Sequence, residues 1–122
     1  METIKSKEEI ANLFSSGKRL RTPYLTLIML PKKEHDLNGR VAFIAGKKNG
    51  NAVWRNKAKR RMRAICQDLK GPWSAYNIVF LAKSNICEVS YSKVLTASEK
   101  ALFNAGIIKD RLYEGEVSKT TN

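Results

Sequence analysis

Apolar residues recur with helical spacing near the start of the chain, where the first predicted helix lies. Ser6 and Glu9 form a capping-box pattern, so we expect a helix from Lys7 to about Ser16 that stops at Gly17. Its apolar stripe follows the i, i+3, i+4 spacing of one helix face and consists of Ile10, Leu13 and Phe14. The pattern therefore predicts an N-terminal helix that packs through one side.

Three later stretches are rich in the β-branched, aromatic and other apolar residues that strands favour. Residues 24–30 (YLTLIML) and 40–45 (RVAFIA) flank a polar, turn-rich segment, and we predict that they form an antiparallel pair. Tyr76–Ala82 is apolar almost throughout, which favours a central position in the sheet. Lys18–Arg21 fits either a short basic strand or an extended loop, and the sequence leaves this open.

Two further helices are bracketed by capping residues. Asn51 can cap a helix over residues 52–69, and Gly71 is placed to act as its C′ glycine. Ser90 can cap a third helix that runs to about Ala105 before a glycine. The element order is then α-β-(β)-β-α-β-α, which fits an α+β sandwich with helices against one sheet.

The length and composition suit one ordinary globular domain. The chain has 122 residues, enough for a single core, and 43% of them are hydrophobic, which argues against wholesale disorder. We assign this domain to residues 1–106 and leave residues 107–122 as a polar C-terminal tail that can fray. No apolar run approaches the roughly 20 residues needed to span a bilayer, and the N-terminus lacks a signal-peptide core, so we expect a cytoplasmic protein.

The distribution of charge adds a candidate function to this fold prediction, because most of the net charge of +12 comes from one region. No Asp or Glu occurs between Leu37 and Gln67, while the same region holds nine cations: Arg40, Lys47, Lys48, Arg55, Lys57, Lys59, Arg60, Arg61 and Arg63. The predicted second helix also has an apolar arc, formed by Trp54, Ala58, Met62, Ile65, Cys66 and Leu69. Like charges at this spacing repel one another, and a polyanion would remove that cost. A solvated basic face is the alternative, although such faces normally mix both signs.

A reaction centre within the polypeptide is not indicated. His35 is the single histidine, which excludes a two-histidine nuclease, and the acids are too dispersed for a two-metal site. Cys66 and Cys87 are expected to be reduced thiols of the core. The Gly46–Gly50 segment fails the Walker pattern, yet Lys47, Lys48 and the helix N-terminus behind it favour an anion. We therefore expect no catalytic residue in this chain.

The basic stretch closely resembles the signature of the bacterial ribonuclease P protein subunit. The matching string is Gly46-Lys47-Lys48-x-Gly50-Asn51-Ala52-Val53-x-Arg55-Asn56-Lys57-x-Lys59-Arg60-x-x-Arg63. Weaker similarity extends to Phe14 followed by Gly17, to a Tyr24 strand, and to the RVAFIA and YNIVFLA strands on either side of the motif. The chain length and the helix order agree with the same family.

The resemblance implies both a fold and a role. The fold is an α-β-β-β-α-β-α sandwich like the second domain of ribosomal protein S5, with a left-handed crossover around the basic helix that departs from the general right-handed rule. The role is that of a subunit of a ribonucleoprotein endoribonuclease, in which the RNA with its magnesium ions removes the 5′ leader of precursor tRNA. The implied partners are ribonuclease P RNA and precursor tRNA, with no membrane and no required protein partner. Mg²⁺ would be bound mainly by the partner RNA.

The resemblance also assigns roles to individual positions. Contacts with the catalytic RNA are expected from Lys47, Lys48, Asn51, Arg55, Asn56, Lys57, Lys59, Arg60, Arg61 and Arg63. A cleft between the basic helix and the sheet is expected to receive the leader as a single strand. Phe14 and Tyr24 would stack on its bases, with Lys18 and Arg19 near its phosphates. For Phe14, simple core packing remains an equal alternative.

Some positions depart from the family pattern, and other functions compete with it. Lys57 stands where an arginine is common, Ile10 and Leu27 stand where relatives often carry aromatics, and Trp54 is bulkier than the usual aliphatic residue. A structural, ribosome-associated RNA-binding protein without a role in cleavage is the main alternative. DNA binding is less favoured, because no zipper heptad, second helix-turn-helix element or zinc site accompanies the basic helix.

Overall fold

The computed structural model describes residues 3–113, which form three helices and four strands. The helices are α1 (Lys7–Ser16), α2 (Ala52–Asp68) and α3 (Tyr91–Asn104). The strands are β1 (Lys18–Arg21), β2 (Leu25–Pro31), β3 (Val41–Ile44) and β4 (Tyr76–Ala82). The predicted single α+β domain is confirmed, and Lys18–Arg21 is a strand. No helix within residues 3–113 is long and apolar enough to cross a membrane.

The four strands form one mixed sheet in the order β1-β2-β4-β3. β2 pairs antiparallel with both β1 and β4, whereas β3 pairs parallel with β4. The predicted central position of β4 is confirmed, but the predicted antiparallel pair of residues 24–30 and 40–45 is wrong. The β3–β4 connection contains the whole of α2, and such a crossover is long enough to return the chain in a parallel direction.

Both faces of the sheet are covered, which explains the nearly continuous apolar runs of β2 and β4. Leu25, Leu27 and Met29 of β2 point to the core beneath α2 and α3. Ile28, the alternate residue of the same strand, packs with Leu13 in a smaller core beneath α1. The period of two along each strand thus divides its side chains between two cores.

The helix ends show how local sequence sets the element bounds. Ser6 Oγ accepts a hydrogen bond from the Glu9 N–H (3.3 Å), but the Glu9 carboxylate contacts the Arg40 guanidinium instead of completing the capping box. At the end of α2 the left-handed residue is Lys70 (φ 63°), so the assignment of Gly71 as C′ was wrong by one position. Gly71 is required for space, because a Cβ there would lie 2.6 Å from Cys66 Sγ.

The chain continues past α3 into a segment that packs back on the domain. Ile107, Ile108 and Tyr113 are half-buried against the α2/α3-side core, and the Tyr113 N–H donates to Glu99 Oε2 (3.1 Å). Residues 114–122, the greater part of the predicted tail, lie outside the described residues. The division of the chain at residue 106 stays a prediction.

Candidate nucleic-acid interface

α2 is anchored through the apolar arc that the sequence predicted. Ala58, Met62, Ile65 and Cys66 are fully buried, and their neighbours in the core come from α3 and from the sheet. Burial raises the pKa of the Cys66 thiol to about 12, so this group stays neutral. One face of α2 is thereby fixed, and its remaining surface points to solvent.

That solvent face is densely cationic. No acidic residue lies in the first turn of α2, and the exposed positions of the helix and of the turn before it include Lys47, Lys48, Asn51, Asn56, Lys57, Lys59, Arg60 and Arg63. Arg55 is half-buried. Within residues 3–113, the ion pairs involve His35, Arg40 and Arg111 as cations, and none involves α2. The repulsion among these cations is therefore left for an external polyanion to offset.

The N-terminus of α2 adds backbone donors to this charge. The chain passes from β3 through a short 3-10 turn, Lys47–Asn49, before Asn51 Oδ1 accepts a hydrogen bond from the Trp54 N–H (3.0 Å). Gly50 is held in contact with the Trp54 ring, since a Cβ would lie 2.7 Å from its Cγ. The positive end of the helix macrodipole and two exposed lysines converge here, which favours a phosphate. Asn51, a predicted RNA contact, is also the helix cap.

The two margins of α2 differ in how their arginines are used. Arg63 lies over the Phe43 ring of β3 at 5.4 Å and remains exposed. Arg61 turns the other way, where its Nη1 donates to the carbonyls of Ile86 (2.9 Å) and Val89 (2.7 Å). Arg61 therefore ties α2 to the β4–α3 connection, a role that sequence reasoning missed because the partner atoms are backbone carbonyls.

Arg61 also approaches Tyr91, the first residue of α3. Its guanidinium lies 6.0 Å from the centre of the Tyr91 ring, and the Tyr91 hydroxyl donates to Asp68 Oδ2 (2.6 Å). Burial raises the pKa of Tyr91, and the hydrogen bond to Asp68 raises it further, so the phenol stays a neutral donor. The side chain of Asp68, the last residue of α2, thus accepts from a hydroxyl of α3.

The predicted leader-binding residues fall on both faces of the sheet. Phe14 of α1 is half-buried in the α1-side core, and Arg19 both stacks on its ring (5.6 Å) and donates to its carbonyl oxygen (3.1 Å). Lys18 is exposed beside Arg19 on β1. Tyr24 packs against the α2/α3-side core, across the sheet from Phe14. The structure thus brings Phe14 and Arg19 together on the α1 side. Lys18 pairs with Met29 and therefore points to the α2/α3 side of the sheet, where Tyr24 also lies.

The position of the predicted cleft requires a correction. α2 packs on one face of the sheet, whereas Phe14 belongs to α1 on the other face, so an opening between α2 and the sheet cannot contain Phe14. The apolar surface beside Phe14 is instead completed by four half-buried residues of the same face, Ile10, Leu30, Ile44 and Leu81. Strand alternation could have located the last three, because each falls on the strand positions that point away from α2.

Comparison with known proteins agrees with the fold and the basic motif. The family model for ribonuclease P matches residues 1–106. The ribonuclease P protein component of Syntrophomonas wolfei is 37% identical over 90 residues, covering 72% of this chain and 73% of the relative. That of Streptococcus agalactiae serotype III is 30% identical over 105 residues, covering 86% and 94%.

Solved structures of ribonuclease P proteins have the same fold as this chain. The ribonuclease P protein of Staphylococcus aureus superposes with a TM-score of 0.75 at 24% identity, covering 88% of this chain and 97% of that one. The protein from Thermotoga maritima superposes with a TM-score of 0.69 at 25% identity, covering 84% and 96%. The α+β sandwich and its cationic helix define a class of small basic proteins, here with no ion pair on that helix within residues 3–113. Within that class, the chain belongs to the ribonuclease P protein component family.

Proposed function

We propose that this chain is the protein cofactor of a ribonuclease P RNA, and that it promotes removal of the 5′ leader from precursor tRNA. The observation that carries the proposal is the solvent face of α2, whose cations form no ion pair within residues 3–113. Single-stranded and irregular RNA places phosphates close together, so a rigid cationic helix releases counterions when it binds. Membership of the ribonuclease P protein family supports the identity of that RNA.

The two faces of the sheet suit two different RNAs: the catalytic RNA and the leader of precursor tRNA. α2 and the Lys47–Asn49 turn would bind the catalytic RNA on one side. On the α1 side, Phe14 offers an aromatic ring while Arg19 offers a charge to leader phosphates, and Lys18 of the same strand adds an exposed charge at the opposite face. Aromatic stacking with a cationic track binds unpaired bases without demanding a particular sequence, as a cofactor for many precursor tRNAs must.

We assign magnesium mainly to the RNA. Residues 3–113 contain no cluster of three or more His, Cys, Asp or Glu side chains that could hold a metal ion. Asp36 and Glu9 both contact the Arg40 guanidinium, which already serves as their counter-charge. The protein's own contribution is to neutralise phosphates and position the leader, so that the RNA folds and binds substrate at lower Mg²⁺. We place this activity in the cytoplasm.

The deciding experiment is precursor-tRNA cleavage at low Mg²⁺ by the catalytic RNA from the same source. Three reactions are compared: the RNA with the protein, the RNA alone, and the protein alone. We expect efficient cleavage at the mature 5′ end from the mixture only. Cleavage by the protein alone would contradict the assignment of chemistry to the RNA. An RNA that gains nothing from the protein would favour a structural RNA-binding role instead.

A further inference from the structure

A groove separates α2 from the segment that joins β4 to α3. Its volume is about 390 Å³, and it is lined by Lys57, Arg60, Arg61, Ala64, Cys87 and Tyr91. Pockets for small ligands measure roughly 300 to 1,000 Å³, so the groove has room for a compact ligand. It lies on the α3 side of the basic helix, whereas Phe14 and its neighbours lie across the sheet. The groove is therefore distinct from the surface proposed for the leader.

The lining combines an apolar wall with a cationic rim. Apolar atoms make up most of the wall, to which Ala64, the half-buried Cys87 and the Tyr91 ring belong. Lys57 and Arg60 are exposed, so their charged ends can reach a ligand from the rim. Among residues 3–113, no acidic residue lines the groove. A ligand that fits this lining carries a flat apolar part and a negative charge.

The floor of the groove is held in place by contacts within the protein. Arg61 is fixed by its hydrogen bonds to the Ile86 and Val89 carbonyls, and it lies against the Tyr91 ring. The Tyr91 ring is fixed at its far end by the hydrogen bond to Asp68. Because these side chains are already ordered, a ligand does not bear the entropic cost of ordering them.

We propose that this groove takes one unpaired nucleotide of the RNA that α2 binds. The base would lie against the wall formed by Ala64, Cys87 and Tyr91, and its phosphate would be held by Lys57 and Arg60. Stacking of unpaired bases on aromatic rings beside phosphate-binding cations is the usual way in which proteins hold single-stranded RNA. The inference rests on the proposed function, and it adds a base-binding site to a helix otherwise assigned to phosphates.

The first test fills the groove without changing any charge. Ala64→Leu keeps a good helix former in α2 but occupies the space of the base. We expect its affinity for ribonuclease P RNA to fall about tenfold, as for the loss of one stacked base, with the salt dependence of binding unchanged. Ala11→Leu, at an exposed position of α1, is the matched control and should bind like the unmodified protein.

A second test uses the unmodified protein and covers the case in which Ala64→Leu does not fold. The chain has two cysteines, and Cys66 is fully buried, so N-ethylmaleimide should react first at Cys87. We expect assembly with ribonuclease P RNA to slow this reaction at least about tenfold. Protein alkylated at Cys87 beforehand should bind the RNA about tenfold more weakly.

Failure of this inference can be told apart from failure of the proposed function. Full RNA affinity of a folded Ala64→Leu protein overturns the nucleotide site, and so does an assembled complex in which Cys87 reacts at the rate of the free protein. Either result leaves the cofactor role intact. If the unmodified protein does not bind ribonuclease P RNA, both the site and the proposed function fail.

Discussion

Arg60 and Arg61 are neighbours in the chain with different surroundings. Arg60 is exposed, and within residues 3–113 it makes neither an ion pair nor a side-chain hydrogen bond. Arg61 is half-buried and donates to the carbonyls of Ile86 and Val89. The first side chain is thus available to an external ligand, while the second holds two segments of the protein together.

Truncation of the two arginines should therefore affect different properties: RNA binding for Arg60 and the stability of the fold for Arg61. Arg60→Ala should weaken binding to the catalytic RNA and lower the salt slope by about one, with stability changed by less than about 0.5 kcal/mol. Arg61→Ala should lower the free energy of unfolding by about 1 to 3 kcal/mol, because two carbonyls lose their donors. Urea unfolding and RNA titration measure both effects. Equal losses of stability in the two variants would contradict the distinction.

Gly50 offers a second test at the residue scale. Gly50→Ala places a Cβ 2.7 Å from Trp54 Cγ, so the start of α2 must shift, at a cost of about 1 to 3 kcal/mol of stability. Gly46→Ala is the matched control, since its Cβ would meet only Asn49 Nδ2 at 4.0 Å. Thermal unfolding of both variants measures the difference. If the Gly50→Ala protein is as stable as the control, the Trp54 side chain can move to make room for the methyl group without loss of stability.

At the scale of elements, α1 places Phe14 on the face of the sheet that we propose for the leader. Its buried Leu13 fixes the helix on the sheet, while Phe14 stays half-buried at the edge with Arg19 over its ring. This arrangement fits either a packing residue or a stacking platform. The two roles differ in whether the ring itself is needed.

Substitution of Phe14 separates these roles. Phe14→Leu keeps much of the apolar burial but removes the ring, so it should weaken binding of precursor tRNA that carries a leader by about 1 to 3 kcal/mol. Binding of leaderless tRNA should be unchanged. Phe14→Ala, which also loses packing, should in addition lower the unfolding temperature. Equal losses for both substrates with Phe14→Leu would reject a leader contact.

The elements also show where local sequence was sufficient and where it was not. The first residues of α1 and α3 followed from Ser6 and Ser90, whose hydroxyls cap the N-termini of these helices as predicted. The pairing of β3 did not follow, because strand partners depend on the path of the intervening chain. The short polar connection after β2 suggested a hairpin, but β4 pairs with both strands and separates them.

At the scale of the whole molecule, the net charge of +12 predicts salt-dependent RNA binding, with a slope set by the number of phosphates that the cations neutralise. If about six cations of α2 and its preceding turn displace counterions from single-stranded or irregular RNA, log affinity should fall with log salt at a slope of about −4. Filter binding or fluorescence titration over a range of KCl concentrations measures this slope. A slope near zero would reject electrostatic binding by α2.

The buried core makes stability fall at high pH. Burial raises the pKa of Cys66 from 9.0 to about 12, so the unfolded chain loses this proton more readily than the folded one. The stabilisation is complete below about pH 9 and is lost as the pH rises towards about 12. Urea unfolding from about pH 8 to about pH 11 should show the decline.

A variant without this thiol separates the contribution of Cys66 to the pH dependence of stability from the contribution of the lysines. Cys66→Ala should be less stable throughout because of lost packing, but its free energy of unfolding should fall less steeply with pH. Tyr91 contributes in the same direction, since burial and the Asp68 hydrogen bond raise its pKa as well. Parallel pH curves for the variant and the unmodified protein would show that Cys66 does not titrate on unfolding.

The sequence by itself determined the approximate spans of the three helices and of β2, β3 and β4, the apolar arc of α2 and the series of cations on its remaining faces. These properties depend on residues within about four positions of one another, and spacing and capping report them directly. Only the tertiary structure placed β3 beside β4, separated Phe14 from Tyr24 and bound Arg61 to carbonyls beyond β4. Those outcomes depend on contacts between distant segments. No local pattern shows which segments will meet, because that choice is made by the packing of the whole core.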